Sequence, residues 1–406
     1  MIDFEEARGK ILKKSSVLPS RRVRVHDAIG SVLAEHVKAR ENIPLFNASA
    51  VDGYGVHRND IESAVEFSPV TLQLAGTLRA GDNGKEPLKK GNCVKLMTGA
   101  MVPRGVDTVI MREFAEEVDH RVILRARMRR GDNVRRRGEE FVKGALVLKS
   151  GTLITPPVVG LLATLGRSTV KVYRKPKVAL IITGNELAPA DEPLRRGFIR
   201  ESNSPALIAA LRSVGIERIR VNRVADNRSA LIRVLSTALR AADVIITVGG
   251  VSVGDFDYVR EVAHTVGVEK VFWRVAIKPG KPFFFGTKAG KLVFGLPGNP
   301  VSALLTFHLL VVPALRRVMG CKPRDELFMR ARLEHPLRRN PERMEFVRGL
   351  VRRTSAGELI VSATRGQDSH MLGGLAAANC LIHVQPGTKD LGKSRFVDVQ
   401  LLSWQL

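Results

Sequence analysis

The sequence predicts a multidomain protein of mixed class, α/β plus β. A doubly wound α/β domain is central, with a small β domain inserted before it and a β domain after it. Three observations predict this. From 175 to 320, apolar β-branched runs alternate with capped helices, as in a parallel sheet covered on both faces. From 45 to 144, and again beyond 321, short apolar segments are broken by Gly and Pro, as in small sheets or barrels. At 406 residues the chain exceeds one ordinary domain of roughly 100–150 residues.

Taken in order, Asp3 suits a helix N-cap, and Phe4, Ala7, Ile11 and Leu12 share one helical face. A second helix is expected near His26–His36. A loop of small residues, Ile43–Gly55, precedes strands at Val70–Leu74, Cys93–Met97, Thr108–Arg112 and Arg121–Ala126. Helix returns between Gly144 and Gly166, with Thr155 as cap, Pro156 and Pro157 in the first turn, and Val158, Leu161, Leu162 and Leu165 facing inward. The expected division is 1–44 with 145–174 as a helical linking domain, 45–144 as the inserted β domain, 175–320 as the α/β domain and 321–406 as the C-terminal β domain.

Inside the α/β segment, Val178–Ile182 reads as a strand buried on both faces. Ser204 and Pro205 offer N-cap and N1 for a helix carrying Leu207, Ile208 and Leu211, closed by Gly215. Ile219–Val224 is a second strand, and Asn227 caps the next helix. Val244–Val248 is a third strand, ending at Gly249-Gly250. Asp257–Val266 is expected to be helical, Val271–Ile277 extended, and Leu292–Phe294 to lead into a turn. Asn299-Pro300 then opens a long helix that stops at Gly320.

Hydrophobic residues at 44% and charged residues at 26% are the balance of a soluble globular protein. No run approaches the roughly 20 apolar residues of a membrane span, and the mixed-charge N-terminus is not a secretory signal. Cys93, Cys321 and Cys380 lie far apart, which disfavours a disulfide framework or a zinc site and fits a reducing cytoplasm. Cys93 and Cys380 fall in apolar strands and read as core. The net charge of +25 favours polyanionic partners. Basic residues are spread along the chain, however, and aromatics are only 5%, so an anionic small ligand is favoured over nucleic acid.

Three loops follow strands and carry glycine: Thr183-Gly184-Asn185-Glu186, Gly249-Gly250-Val251-Ser252-Val253-Gly254-Asp255-Phe256-Asp257, and Leu296-Pro297-Gly298-Asn299-Pro300. In a parallel sheet, ligands bind at these carboxyl ends, where successive N–H groups form anion-holding nests. None is a P-loop or a dinucleotide fingerprint. Glu186, Asp255 and Asp257 suit either helix capping or Mg²⁺ held against substrate phosphates. Lys278-Pro279-Gly280-Lys281-Pro282 presents two further cations.

These segments, with Glu201-Ser202-Asn203, come in the order seen in the molybdopterin molybdenumtransferase (MoeA/gephyrin E-domain) family, which the chain resembles. Outside the α/β segment, the resemblance extends to Phe46–Tyr54, to Met97-Thr98-Gly99-Ala100 with Pro103–Asp107, to Arg135-Arg136-Arg137-Gly138-Glu139-Glu140, and to Ser369-His370. The resemblance implies an elongated, dimeric protomer whose central domain is molybdopterin-binding-like, with its active site in a cleft between domains and subunits. It implies insertion of molybdate, with tungstate as an alternative, into adenylated molybdopterin and release of AMP. By motif, Asp52, Glu186, Asp257 and Glu140 are the catalytic candidates, with Glu186 and Asp257 as candidate Mg²⁺ ligands. Thr98, Arg135, Thr183, Gly184, Gly249, Gly250, Ser252, Gly254, Lys278, Lys281, Pro297, Gly298, Asn299 and Ser369 are the substrate- or phosphate-binding candidates. The implied partners are a homodimer mate and the adenylyltransferase that supplies the substrate, without nucleic acid or membrane.

The chain departs from the family pattern at Asn47-Ala48, where the family has Asp-Asn, and at Asp368, where it has Gly. Glu140 and Glu201 stand where the family has the shorter Asp. A longer carboxylate moves its oxygens by about one bond, and misplacement of ~1 Å costs about 100-fold in rate. A molybdopterin adenylyltransferase and a non-catalytic scaffold of the same fold are the alternative functions.

Overall fold

Val178–Thr183 is buried at all six positions in the computed structural model of the chain. The structure describes residues 1–251, 258–322, 328–338, 342–388 and 390–402. The chain divides into two compact units. One comprises Met1–Ala34, Gly151–Thr155 and Val170–Leu406; the other comprises Glu35–Ser150 and Pro156–Thr169.

The α/β part of the first unit is labelled from its own first strand. Its strands are β1 (Val178–Thr183), β2 (Ile219–Val224), β3 (Val244–Val248), β4 (Glu269–Trp273), β5 (Phe284–Lys288) and β6 (Lys291–Leu296). Their order across the sheet is β2-β1-β3-β6-β5-β4. The first four run parallel, while β5 is antiparallel to both β6 and β4. The sheet is therefore mixed, where the sequence pattern predicts a parallel one. The cause is a tight hairpin at Ala289-Gly290, both with positive φ, which pairs Lys288 with Lys291. At the β4 edge the register shifts between Lys270 and Phe272, and at the β2 edge Arg220 and Arg223 are exposed.

Helices α1 (Asn203–Ser213), α2 (Arg228–Ala241), α3 (Val259–Thr265) and a long segment, Pro300–Val318, cover the sheet. Asn227 caps α2 as expected, its side chain accepting from Ala230 N at 3.0 Å. Helix α1 begins at Asn203, one residue before the expected cap Ser204. The acceptor there is Glu201, whose buried carboxylate takes bonds from Ser204 N at 2.7 Å and from Ser204 Oγ. The longer side chain thus reaches the helix end as a cap. Pro300–Val318 is long and apolar enough to cross a membrane, yet 78% of its apolar window is buried inside the fold. Its middle turn, Phe307–Val311, is a π-helix just before Pro313, which has no N–H for an α-helical bond.

Asp3 caps helix Phe4–Lys14 by accepting from Glu6 N at 2.7 Å, and Phe4, Ala7 and Ile11 enter the same core as Val178 and Leu180. The helix expected at His26–His36 does not form. Only Val25–Asp27 makes a helical turn; Gly30 then takes φ 70°, and Val32 and Leu33 bridge to Leu153 and Val172. Beyond the α/β part, five strands close on themselves because Met344–Arg353 pairs with both Leu359–Ala363 and Cys380–Val384. Ile277–Lys278 adds in parallel to Met344-Glu345.

In the second unit, six strands follow the order Thr108–Met111, Gly53–Val56, Asn92–Leu96, Val70–Leu78, Arg121–Leu124, Ala115–Val118. Gly53 lies between two neighbours, and a β-carbon there would come within 2.0 Å of Ile110 O. Cys93 and Cys380 are buried, and burial pushes both thiols up to about 12. They are core, not nucleophiles.

The two kinds of glycine predict opposite effects. Gly53→Ala is expected to lower the melting temperature by several degrees, through a backbone clash costing about 3 kcal/mol or more. Gly160, inside helix Pro156–Thr164, has open space where a β-carbon would stand, with nothing within 4 Å. Gly160→Ala should raise the melting temperature by about 2 °C, from roughly 1 kcal/mol of helix propensity. Calorimetry on both variants checks the pair.

Candidate active site

Strands β1, β3 and β6 end side by side, and a cavity of about 610 Å³ opens above their carboxyl ends. That volume is ordinary for a small-molecule site. Of the residues singled out from the sequence, Thr183, Gly184, Glu186, Gly249, Gly250, Pro297, Gly298 and Asn299 all line it. A hollow of about 520 Å³ at the opposite end, beside Lys177 and Arg218, has no helix N-terminus or glycine loop. Chemistry favours the strand-end cavity.

Glycine is required here by close approach. A β-carbon on Gly249 would stand 2.7 Å from Thr183 Oγ1 and 2.9 Å from Thr183 O. Gly249 and Gly250 also have φ of 88° and 65°, in the left-handed region. The loop is tied down by Gly249 N donating to Leu296 O and Val259 N donating to Gly250 O, each at 3.1 Å. Ser252, Gly254 and Asp257 lie outside the described residues, as does Asp255.

The first loop is locked to the end of β2. Asp226 N donates to Asn185 Oδ1 at 3.1 Å, and Asn185 N donates to Asp226 Oδ2 at 3.3 Å. Asp226 also lines the cavity, so it joins Glu186 as a carboxylate there. It is not among the candidates drawn from the sequence, although it follows a strand of the parallel set and obeys the same strand-end rule. Among the described residues no three His, Cys, Asp or Glu side chains gather to hold a metal.

Two more residues shape the cavity. Asn203 is buried, and its Nδ2 donates to Gly298 O at 2.8 Å. Its Oδ1 is buried with no partner among the described residues. Asn299 Nδ2 donates to Ser369 Oγ at 2.7 Å, and Val301 N donates to Ser369 O at 3.1 Å. Ser369 thus stands beside the third glycine loop, and His370 lines the cavity. The fully buried Arg348 supports that segment, donating from Nη2 to Gly366 O at 2.7 Å and Asp368 O at 3.4 Å.

The lysines behave differently from each other. Lys278 pairs with the buried Glu345 at 2.9 Å, so part of its charge is already matched. Lys281 is exposed, next to the cavity-lining Pro282.

In the second unit, Asp52 and Thr98 form a pair. Asp52 Oδ1 accepts from both Thr98 N and Thr98 Oγ1, each at 2.7 Å. Those two bonds, backbone first, hold its carboxyl below the ordinary range, with Arg112 adding to them. Any stability they contribute is present above the unfolded carboxyl pKa and is lost as pH falls through the folded value. Arg135 and Glu140 are exposed; Arg135 pairs with Ala48 along a two-residue ladder. At the departure Asn47, the side-chain oxygen accepts from Arg137 N at 2.9 Å, a role that needs no charge.

Family models match along the chain in order: the MoeA N-terminal region (domain I and II) at 2–166, a probable molybdopterin binding domain at 179–317, and the MoeA C-terminal region (domain IV) at 330–402. The molybdopterin molybdenumtransferase of Haemophilus influenzae is 34% identical over 98% of both chains. That of Staphylococcus aureus is 32% identical over 98% of this chain and 95% of its own. Among solved structures, the molybdopterin biosynthesis moeA protein of Pyrococcus horikoshii superposes with a TM-score of 0.84 at 28% identity, covering 99% of this chain and 100% of its own.

The Asp52 pair gives a titration test. Thr98→Val removes the hydroxyl and keeps the backbone bond, so the Asp52 carboxyl should titrate at a higher pH than in the parent. Carboxyl ¹³C NMR reads this directly, and an unchanged titration would show that the hydroxyl bond is not made in solution.

Proposed function

The chain belongs to the molybdopterin molybdenumtransferase family, and on that premise we propose that its strand-end cavity holds adenylated molybdopterin during molybdenum insertion. Members act in molybdenum cofactor biosynthesis, and neither the adenylyltransferase nor the scaffold alternative is favoured. In this reading molybdate is the metal substrate, hydrolysis of the phosphoanhydride releases AMP, and the dithiolene sulfurs take the metal.

The observation that carries the reading is the nest at Gly249-Gly250, faced by Gly298, where a β-carbon would lie 3.7 Å from Gly249 Cα. Gly249 N is engaged with Leu296 O, so the N–H groups that follow it, from Gly250 on, are the ones suited to phosphate oxygens, and the absence of side chains lets these approach. Lys281 supplies positive charge nearby. Asn203 Oδ1, an acceptor in want of a donor, suits an N–H of the substrate.

Magnesium fits the cavity by donor chemistry. Among the described residues Glu186 and Asp226 are the carboxylates on its lining, and Mg²⁺ is commonly held by one or two carboxylates with substrate phosphates. When bound it would neutralise charge on the anhydride. Asp52 suits cation handling better than water activation, because a carboxylate held below its ordinary range is a weak proton acceptor at neutral pH. On the strength of their shared motif, exposed Arg135 is assigned to substrate contact and exposed Glu140 to catalysis. A homodimer, a supplying adenylyltransferase and a cytoplasmic setting belong to the same proposal.

The test is reaction with adenylated molybdopterin and molybdate, following AMP release and metal incorporation together. Glu186→Ala is expected to lower both by roughly 100-fold, and chelation should stop AMP release until Mg²⁺ is restored. Undiminished release by Glu186→Ala would reject its assignment. Tungstate in place of molybdate reads out the metal preference; strong preference for molybdate removes tungstate as the alternative.

A further inference from the structure

The indole of Trp273 ends the edge strand β4 and lies between two guanidinium groups. Arg260 Cζ is 3.7 Å and Arg274 Cζ 4.0 Å from its ring centroid. Cations over both faces of one indole are attracted by the ring but repel each other. Neither arginine forms an ion pair among the described residues, and Arg260 Nε is buried without a hydrogen-bond partner there. Arg274 reaches its place from backbone at φ 69°, a region that side chains rarely adopt. Its backbone is fixed by Arg274 N donating to Phe283 O at 2.9 Å and by Ile2 N donating to Arg274 O at 3.2 Å.

The edge of the clamped ring points at the glycine loop. Trp273 Nε1 donates to Val251 O at 3.0 Å. Val251 itself is buried, with Cγ1 2.7 Å from where a β-carbon on Gly295 would stand. Gly249 and Gly250 have little steric preference of their own, so their conformation depends on how the loop is anchored at each end. Leu296 O receives one end, and the indole holds the other.

We propose that Trp273 is a positioning residue for the Gly249–Val251 anion nest, with Arg260 and Arg274 clamping its ring so that the N–H stays aimed at Val251 O. The role rests on the reading that this nest binds the phosphate-bearing substrate. It acts on binding before reaction, so its loss raises KM more than it lowers kcat. A purely structural tryptophan would instead reduce the fraction of active enzyme and leave KM alone.

The experiment measures KM and kcat for adenylated molybdopterin at saturating molybdate, by AMP release, in the full chain and three variants. Trp273→Phe keeps an aromatic ring and removes the N–H; KM should rise roughly three- to tenfold with kcat within about twofold. Arg260→Leu keeps the indole and frees one face, and should raise KM by a smaller factor. Gly249→Ala distorts the nest itself and should raise KM most. If Gly249→Ala raises KM while Trp273→Phe and Arg260→Leu leave it unchanged, the positioning role is wrong and the nest stands. If Gly249→Ala leaves KM unchanged, the nest is not the substrate site and the inference falls with it. Because KM does not depend on the amount of active enzyme, partial misfolding of a variant does not mask the outcome.

Discussion

A β-carbon on Gly249 would lie 2.7 Å from Thr183 Oγ1, and this exclusion governs the ligand edge of the sheet. Strands β1 and β3 are neighbours in parallel register, and Gly249, directly after β3, lies against Thr183 at the end of β1. With no side chain at that contact the backbones close up, and Gly249 N is free to reach across to Leu296 O. The same absence at Gly295 admits Val251. The cavity is therefore shaped by omission of side chains as much as by the groups that line it. Charge comes afterwards, from carboxylates and cations at the rim.

Much of this is legible in the sequence because it is local. Val178–Ile182 and Val244–Val248 are apolar enough to be read as doubly buried strands, and the glycines that follow them mark the ligand edge. Asn227 announces its helix one residue ahead. What is not legible depends on distance along the chain. Asp52 meets Thr98 46 residues away, and Asn299 meets Ser369 70 residues away. Only the family motifs hint that these belong together; no periodicity does. Asp226 is hidden by its surroundings, since an acidic residue before a helix cap reads as ordinary capping chemistry.

Where sequence and structure part, the cause is again a missing local signal. The segment Phe283-Phe284-Phe285 follows a proline-rich turn and precedes Ala289-Gly290, which lacks the Asn-Gly signal of a tight hairpin. Nothing in the pattern therefore marks the antiparallel strand β5, or the mixed character of the sheet that comes with it. At Glu201 the sequence suggests a carboxylate displaced by about one bond, whereas the structure uses it to cap a helix from one residue further out. A residue change that looks chemical is absorbed by the backbone.

The mixed sheet also bears on how the molecule behaves at concentration. Each open margin of a sheet offers unpaired N–H and C=O groups to any passing strand. At one margin the shift in register between Lys270 and Phe272 interrupts the regular row of such groups. At the other, exposed Arg220 projects from the strand while Arg223 pairs with Glu201 at 3.5 Å, and an identical strand laid alongside would set Arg220 near like charge. A chain carrying a net charge of +25 thus places some of that charge where it keeps copies of the sheet from joining edge to edge.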